Sequence, residues 1–354
     1  MPDLRQSEPA LDVASAGAIP ALATPGVAES IPAKSASAGA GARGSAAVAG
    51  DPPSPLAIAS ELTKLRLSML VLWTTATGAL LAAHLHGGAS ALTLLWTILG
   101  TAMSAGAAGT LNQLLEVDRD AVMRRTRSRP LPAGHVSRFS ALMITLILTG
   151  AGVGMLACLV NGISAVLAGL TIVLYGLVYT PLKPVTTLNT FVGAVVGAIP
   201  PMIGWVAITG RLDPAAWVLF ALLFVWQIPH FLALAWMYRE DYARGGFRML
   251  PACDPDGRLT AQASLAGSLL LIPTALGLTL VGVGGWAYTA GALVLGAWIS
   301  LRALRFVRQR SDLAARRLFL ASLLYLLVVL VLAVADPTEV VRPPVVHGLV
   351  AAAG

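Results

Sequence analysis

Between Asn112 and Pro132 the chain reads NQLLEVDRDAVMRRTRSRPLP, which puts three carboxylates and five arginines into twenty-one residues of a protein that is only 12% charged overall. Asn112, Glu116 and Asp120 are spaced i, i+4, i+8, so at about 100° per residue they share one helical face, while Asp118 points nearly the opposite way. Two carboxylates and an amide on one face form a hard oxygen-donor array. Such an array suits Mg²⁺, which keeps several waters and is completed by substrate phosphate. The arginines that follow can clamp a diphosphate with paired N–H donors. Divalent cation plus guanidinium is the combination that stabilises a diphosphate as it leaves.

A second cluster lies in WQIPHFLALAWMYREDYARGGFRMLP. His230 and Asp241 are eleven residues apart, close to three helical turns, which predicts that they too lie on one face, with Glu240 beside the second. A single histidine in an apolar helix is most often hydrogen-bonded within its bundle, yet an ionisable residue inside a membrane span is also a default candidate for function.

The elements that must position these residues are membrane helices. With 56% hydrophobic residues and a mean hydropathy of +0.77, the chain lacks the polar surface to clothe a soluble core. Apolar segments long enough to cross a hydrocarbon core of about 30 Å fall near 66–85, 90–111, 139–158, 162–180, 190–209, 214–236, 262–284, 287–304 and 318–335. The expected fold is an all-α membrane protein of nine transmembrane helices over residues 56–340. Residues 1–55, rich in Ala, Gly, Ser and Pro, are expected to be a disordered tail, and 341–354 a short C-terminal one. The tail fits neither an import peptide, which would be Arg-rich and poor in acids, nor a secretory signal. The double proline of AIPPMIGW is expected to bend or break the fifth span.

Nine alternating spans place Lys64, Arg66, the arginines from Arg119 to Arg138, Lys183, Arg239 to Arg258 and Arg302 to Arg317 on one side, and Arg211 alone on the other. This asymmetry predicts a cytoplasmic charged face, an inside N-terminus and an outside C-terminus. The 302–317 arginines read as topology anchors. Carboxylates contribute little to orientation, so the acidic clusters require another explanation. The net charge of +7 is spread between apolar segments, which argues against nucleic acid as a partner. Cys158 and Cys253 are too few and too distant for a disulfide framework or a cysteine-based metal site. Two acidic clusters on one membrane side, each with arginine, resemble the aspartate-rich pairs of enzymes that ionise prenyl diphosphates, which implies a magnesium diphosphate held at the mouth of an apolar cavity with an isoprenoid tail running inward.

At these residues the chain resembles the UbiA-type intramembrane prenyltransferase superfamily and, within it, the protohaem IX farnesyltransferase (haem O synthase) branch. In the superfamily's Asn-Asp-x-x-Asp-x-x-x-Asp motif, Asn112, Glu116 and Asp120 take the first, third and fourth defined places, Gln113 replaces an aspartate, and Glu116 stands for the usual aspartate. The run Met123, Arg125, Thr126, Arg129, Pro130 matches the haem branch, as do Pro229-His230 and Glu240-Asp241-Tyr242, and Tyr179 with Lys183 matches Tyr-x-x-x-Lys. "KLR" at Lys64–Arg66 lacks a common proline, and Arg248 replaces another. The resemblance spans Lys64 to the ninth span and implies nine transmembrane helices around a central cavity, with the motifs on the cytoplasmic side.

What it implies is farnesyl transfer from farnesyl diphosphate to the 2-vinyl group of haem b, with addition of water, giving haem O and diphosphate. The metal Mg²⁺ would be held by Asn112, Glu116, Asp120 and Asp241. Lys183 would touch diphosphate, and the substrate contacts would be Arg125, Arg129, Tyr179, His230, Arg239 and Glu240. His230 has three candidate roles: iron ligand, partner of the haem propionates, or partner of a metal-bound water. Trp226, Trp236 and Tyr238 could face a carbocation or anchor the interface. A bacterial cell (inner) membrane is favoured over a mitochondrial inner membrane, with a haem A synthase as candidate partner. Alternatives are a prenyltransferase acting on a quinone precursor and, from a different class, an anionic-solute transporter. The transporter predicts internal repeats or charges strung through several spans, whereas these concentrate at one end.

Overall fold

The computed structural model describes residues 53–338; the C-terminal tail at 341–354 and nearly all of the N-terminal one lie outside the described residues. A short helix α1 (Pro55–Leu62), capped by Ser54 and started by a proline whose missing N–H costs nothing there, leads into α2 (Leu65–Leu85). Then follow α3 (Ala91–Val122), α4 (Arg138–Leu159), α5 (Gly162–Val173) and α6 (Thr180–Leu182), α7 (Asn189–Thr209), α8 (Pro214–Met237), α9 (Arg239–Arg244), α10 (Arg258–Leu280), α11 (Trp286–Gln309) and α12 (Asp312–Ala335). Among the described residues nine helices are long and apolar enough to cross a membrane, α5 and α6 counting as one, and all but the second match the expected spans to within six residues at either end.

Two differences matter for function. The second span is expected to stop near 111, but α3 runs 32 residues to Val122, about 48 Å at 1.5 Å per residue. Its last turns therefore outrun a hydrocarbon core of about 30 Å, and they carry the acidic cluster. The break expected at the double proline is absent: α7 is continuous through Pro200 and Pro201. It is the most enclosed span, 72% buried against 17% for α4, so surrounding helices hold its backbone in place. Cβ atoms built on Gly78 and Gly204 would fall 2.1 Å from the Pro201 carbonyl oxygen and 1.9 Å from that of Thr75, so α2 and α7 meet backbone to backbone.

The connections that carry the charges are bonded to one another. Arg248 N–H donates to the Lys183 carbonyl at 2.7 Å, Arg119 to the Gly245 carbonyl at 3.0 Å, and Arg239 to Asp312 at 2.7 Å. At the other end Asn161 donates to the Val206 carbonyl at 2.9 Å, and Gly285 N–H to that of Asp336 at 2.8 Å. Even and odd connections thus sort to opposite ends, as alternating spans require.

Candidate active site at the mouth of an apolar cavity

Because α3 stays helical to Val122, Asn112, Glu116 and Asp120 emerge on one buried face, while Asp118 points away with a side chain 79% exposed and paired with Arg138. The turn after α3 is built to return a cation to that face. Met123 packs with Ala235, Phe247 and Met249, Thr126 Oγ1 donates to the Asp120 carbonyl at 3.0 Å, and Arg129 then reaches the Asp120 carboxylate at 2.6 Å. Lys183, just beyond α6, donates to Glu116 at 2.8 Å. Burial alone would lower the pKa of Lys183, but the Glu116 carboxylate raises it overall, so the ammonium is retained.

Sequence reasoning missed two members of the site, Lys64 and Thr180. Lys64, in the left-handed conformation at φ 52°, donates to Asn112 Oδ1 and lies 5.6 Å from the centre of the Tyr175 ring. Burial, then the charges of Arg129 and Lys183, push the Lys64 pKa down to about 7, against the pull of Glu116 and Asp120. Thr180 Oγ1 accepts from Asn112 Nδ2 at 3.0 Å and donates to the Tyr175 carbonyl at 2.8 Å. It does so from a wide turn over Leu174–Tyr179, in which the Thr180 N–H bonds five residues back, a distortion frequent at functional sites. A non-glycine residue at positive φ and a π-turn are both invisible to hydropathy. Gln113, at the motif's departure, holds α1 by donating to the carbonyls of Glu61 and Leu62 at 2.8 and 2.9 Å.

The donor set fits a divalent cation. Asp120 Oδ1 is fully buried and has no hydrogen-bond partner, and an orphaned carboxylate oxygen among hard donors is where a cation is most needed. A cavity of about 270 Å³, near the lower end of ligand-pocket sizes (roughly 300–1,000 Å³), is lined by Lys64, which bonds Asn112, and by Tyr175, Tyr179, Gln227 and His230 among mainly apolar neighbours. Gly193 leaves room for the Tyr179 ring, over which Lys183 Nζ sits at 4.6 Å.

The second cluster is arranged differently from its spacing. His230 and Asp241 do not share a helix: α8 stops at Met237, Tyr238 turns the chain, and α9 starts at Arg239. His230 therefore stays in the cavity, whereas Asp241 reaches the turn after α3. Its Oδ1 accepts from Arg124 N–H at 2.9 Å and from Arg244 at 2.9 Å, and its Oδ2 from Arg125 N–H at 3.2 Å. Burial would raise the Asp241 pKa, but those two amides and the charges of Arg244 and Arg125 hold it below the usual carboxylate value. The two acidic clusters converge on one end of the bundle, Asp241 grasping the backbone four residues beyond Asp120. Arg125, Arg239, Glu240 and Asp241 line a separate outer cleft with Arg124, Arg244 and Asp312. There Arg125 stacks over Tyr238 and Tyr242, and Arg239 lies over Trp236, whose Nε1 shares Asp312. Arg239 and Glu240 are thus grouped with Arg125 rather than with Lys183 and Arg129.

The UbiA prenyltransferase family profile matches residues 71–332, well over half of the chain. The chain belongs to the UbiA prenyltransferase family. Within that family it is similar to a protoheme IX farnesyltransferase of Salinibacter ruber, 44% identical over 66% of this chain and 83% of the relative. It is also similar to one of Anaeromyxobacter dehalogenans, 43% identical over 79% and 94%. The fold is that of a UbiA homologue from Archaeoglobus fulgidus solved with GPP and Mg²⁺, with a TM-score of 0.56 at 13% identity over 78% of this chain and 99% of that one.

Proposed function

We propose that the protein is a magnesium-dependent protohaem IX farnesyltransferase, transferring farnesyl from farnesyl diphosphate to the 2-vinyl group of haem b and releasing haem O and diphosphate. The observation that carries this reading is the meeting, at the mouth of one apolar cavity, of a buried oxygen-donor face on α3 with cations from three other segments. The names of relatives at 43–44% identity support the haem branch over a quinone precursor. Grouped charges at one end, rather than strung through the spans, weigh against a transporter.

Asn112, Glu116 and Asp120 would hold Mg²⁺, with Asp120 Oδ1 as its buried anchor. Asp241, committed to the Arg124 and Arg125 amides and to Arg244, would support the site by pinning the turn that returns Arg129 to Asp120. The metal supplies charge neutralisation to the leaving group. Lys183 and Arg129, each now on a carboxylate, would donate to diphosphate oxygens, while Arg125 lines the separate outer cleft. As the C1–O bond breaks, both electrons leave with diphosphate. The terminal vinyl carbon bonds C1, water adds to the adjacent carbon, and one proton is lost. The apolar cavity keeps other water from the allylic cation before that bond forms.

The distribution of Lys and Arg supports a cytoplasmic site in a bacterial cell membrane, with a haem A synthase as candidate recipient of the product. The test is to incubate purified protein with farnesyl diphosphate, Mg²⁺ and either haem b or a 4-hydroxybenzoate-type quinone precursor, with EDTA controls, and to weigh the products. Farnesylated, hydrated haem is expected; prenylated quinone precursor alone would replace this reading with the alternative.

A further inference from the structure

His230 sits on α8 with its ring sandwiched between Trp226 (centroids 4.7 Å apart, planes at 23°) and Phe319 of α12 (4.8 Å, 29°). Its Nδ1 lies 2.9 Å from Ser322 Oγ, and that hydroxyl also donates to the Phe319 carbonyl at 2.7 Å. A hydroxyl has one proton and a carbonyl can only accept, so both contacts are satisfied together only when the Ser322 proton goes to Phe319. Nδ1 must then be the donor in the histidine–serine bond, and in the neutral imidazole Nε2 carries the lone pair.

The same serine fixes the neighbouring ring, because Trp226 Nε1 donates to the Ser322 carbonyl at 2.6 Å. Ser322 is fully buried, and one residue of α12 thereby sets both the tautomer of His230 and the aromatic wall that prevents its ring from turning. Nε2 has no hydrogen-bond partner and is not among the sealed orphan atoms, so it fronts the cavity that His230 lines.

We propose that Ser322 is a positioning residue that presents the Nε2 lone pair of His230 to the iron of a porphyrin substrate, fixing how the macrocycle sits in the cavity. The inference rests on the haem reading above. Neutral imidazole is a common iron ligand, and the hydrogen bond on its other nitrogen characteristically fixes which nitrogen binds.

The test uses full-length protein in detergent, loaded with ferrous haem b and nitric oxide and read by electron paramagnetic resonance. Wild type is expected to show splitting from a second nitrogen trans to nitric oxide, altered by [¹⁵N]histidine labelling. His230→Ala should lose that splitting and regain it with free imidazole, which also shows that the cavity is intact. Ser322→Ala should weaken haem affinity about ten- to hundredfold, with Ser322→Thr restoring it, while in His230→Ala the further change Ser322→Ala should leave imidazole rescue unaltered. Splitting that survives in His230→Ala, or a Ser322→Ala protein with wild-type haem affinity, would overturn the proposal. Haem bound without any histidine signal overturns this inference alone, whereas no haem binding by wild type overturns the haem reading as well.

Discussion

The sharpest test of the α3 face is Asp120→Asn set against Asp118→Asn, two changes of equal chemistry two residues apart. Asp120 is fully buried, with Oδ2 on Arg129 at 2.6 Å and Oδ1 unpartnered, so asparagine would keep the shape and remove the charge at the point where the proposed cation would sit. Removing one pre-organised electrostatic contact from a water-excluded site costs about 3 kcal/mol of transition-state stabilisation, roughly a hundredfold in rate. Breaking a buried ion pair can cost 3–5 kcal/mol of stability, but the Arg129 side chain is 16% exposed and can turn to solvent, so the stability loss should stay below about 3 kcal/mol. Asp118, with its side chain 79% exposed, makes only a surface pair with Arg138, and such pairs contribute little. Expected, by mass-spectrometric turnover of haem b at several Mg²⁺ concentrations, is a fall in kcat/KM of at least about a hundredfold for Asp120→Asn, with weakened Mg²⁺ dependence. Asp118→Asn should remain within about twofold. Turnover by Asp120→Asn within about tenfold of wild type, or equal losses in both variants, would refute the assignment of the face.

Lys183→Met should strand Glu116 in a buried position and cost at least about 3 kcal/mol, seen as a lower thermal midpoint in detergent, with Glu116→Gln in the same chain recovering part of it. Gly204→Ala and Gly78→Ala each push a methyl into a main-chain carbonyl and should destabilise by about 1–3 kcal/mol or more, whereas Gly154→Ala, with nothing within 4 Å, should be neutral by the same melt. Because Asp241 titrates below its ordinary 3.8, its grip on the turn contributes stability that is present above that value and lost as pH falls through the lower folded value. Hydrogen exchange should therefore show the Arg124 and Arg125 amides protected at neutral pH and released only below about 3.8, and released at every pH in Asp241→Ala.

What could be read from the chain was what depends on period and length. Nine apolar segments gave nine helices, and the i, i+4, i+8 spacing of Asn112, Glu116 and Asp120 gave a common buried face because the intervening residues never break the helix. Where spacing was carried across a break it failed: the eleven residues from His230 to Asp241 cross Tyr238, where the chain leaves the α conformation, so the pair divides between cavity and turn. Helix-breaking rules failed in the opposite direction at Pro200 and Pro201, where burial against α2 overrides the loss of backbone bonds. Lys64, Thr180 and Ser322 were hidden for another reason. Each acts on a residue 48 to 92 positions away, Lys64 on Asn112, Thr180 on Asn112 and Ser322 on His230, and side-chain pairing at that separation is set by packing rather than by any local pattern.

The seam between α2 and α7 also decides where a long hydrocarbon guest can travel. At Gly78 and Gly204 peptide groups, not side chains, form the wall, and no rotamer change can open a gate in a surface that has no side chain to swing. A route for an isoprenoid tail is therefore expected past movable side chains elsewhere around the helices, and not through this seam.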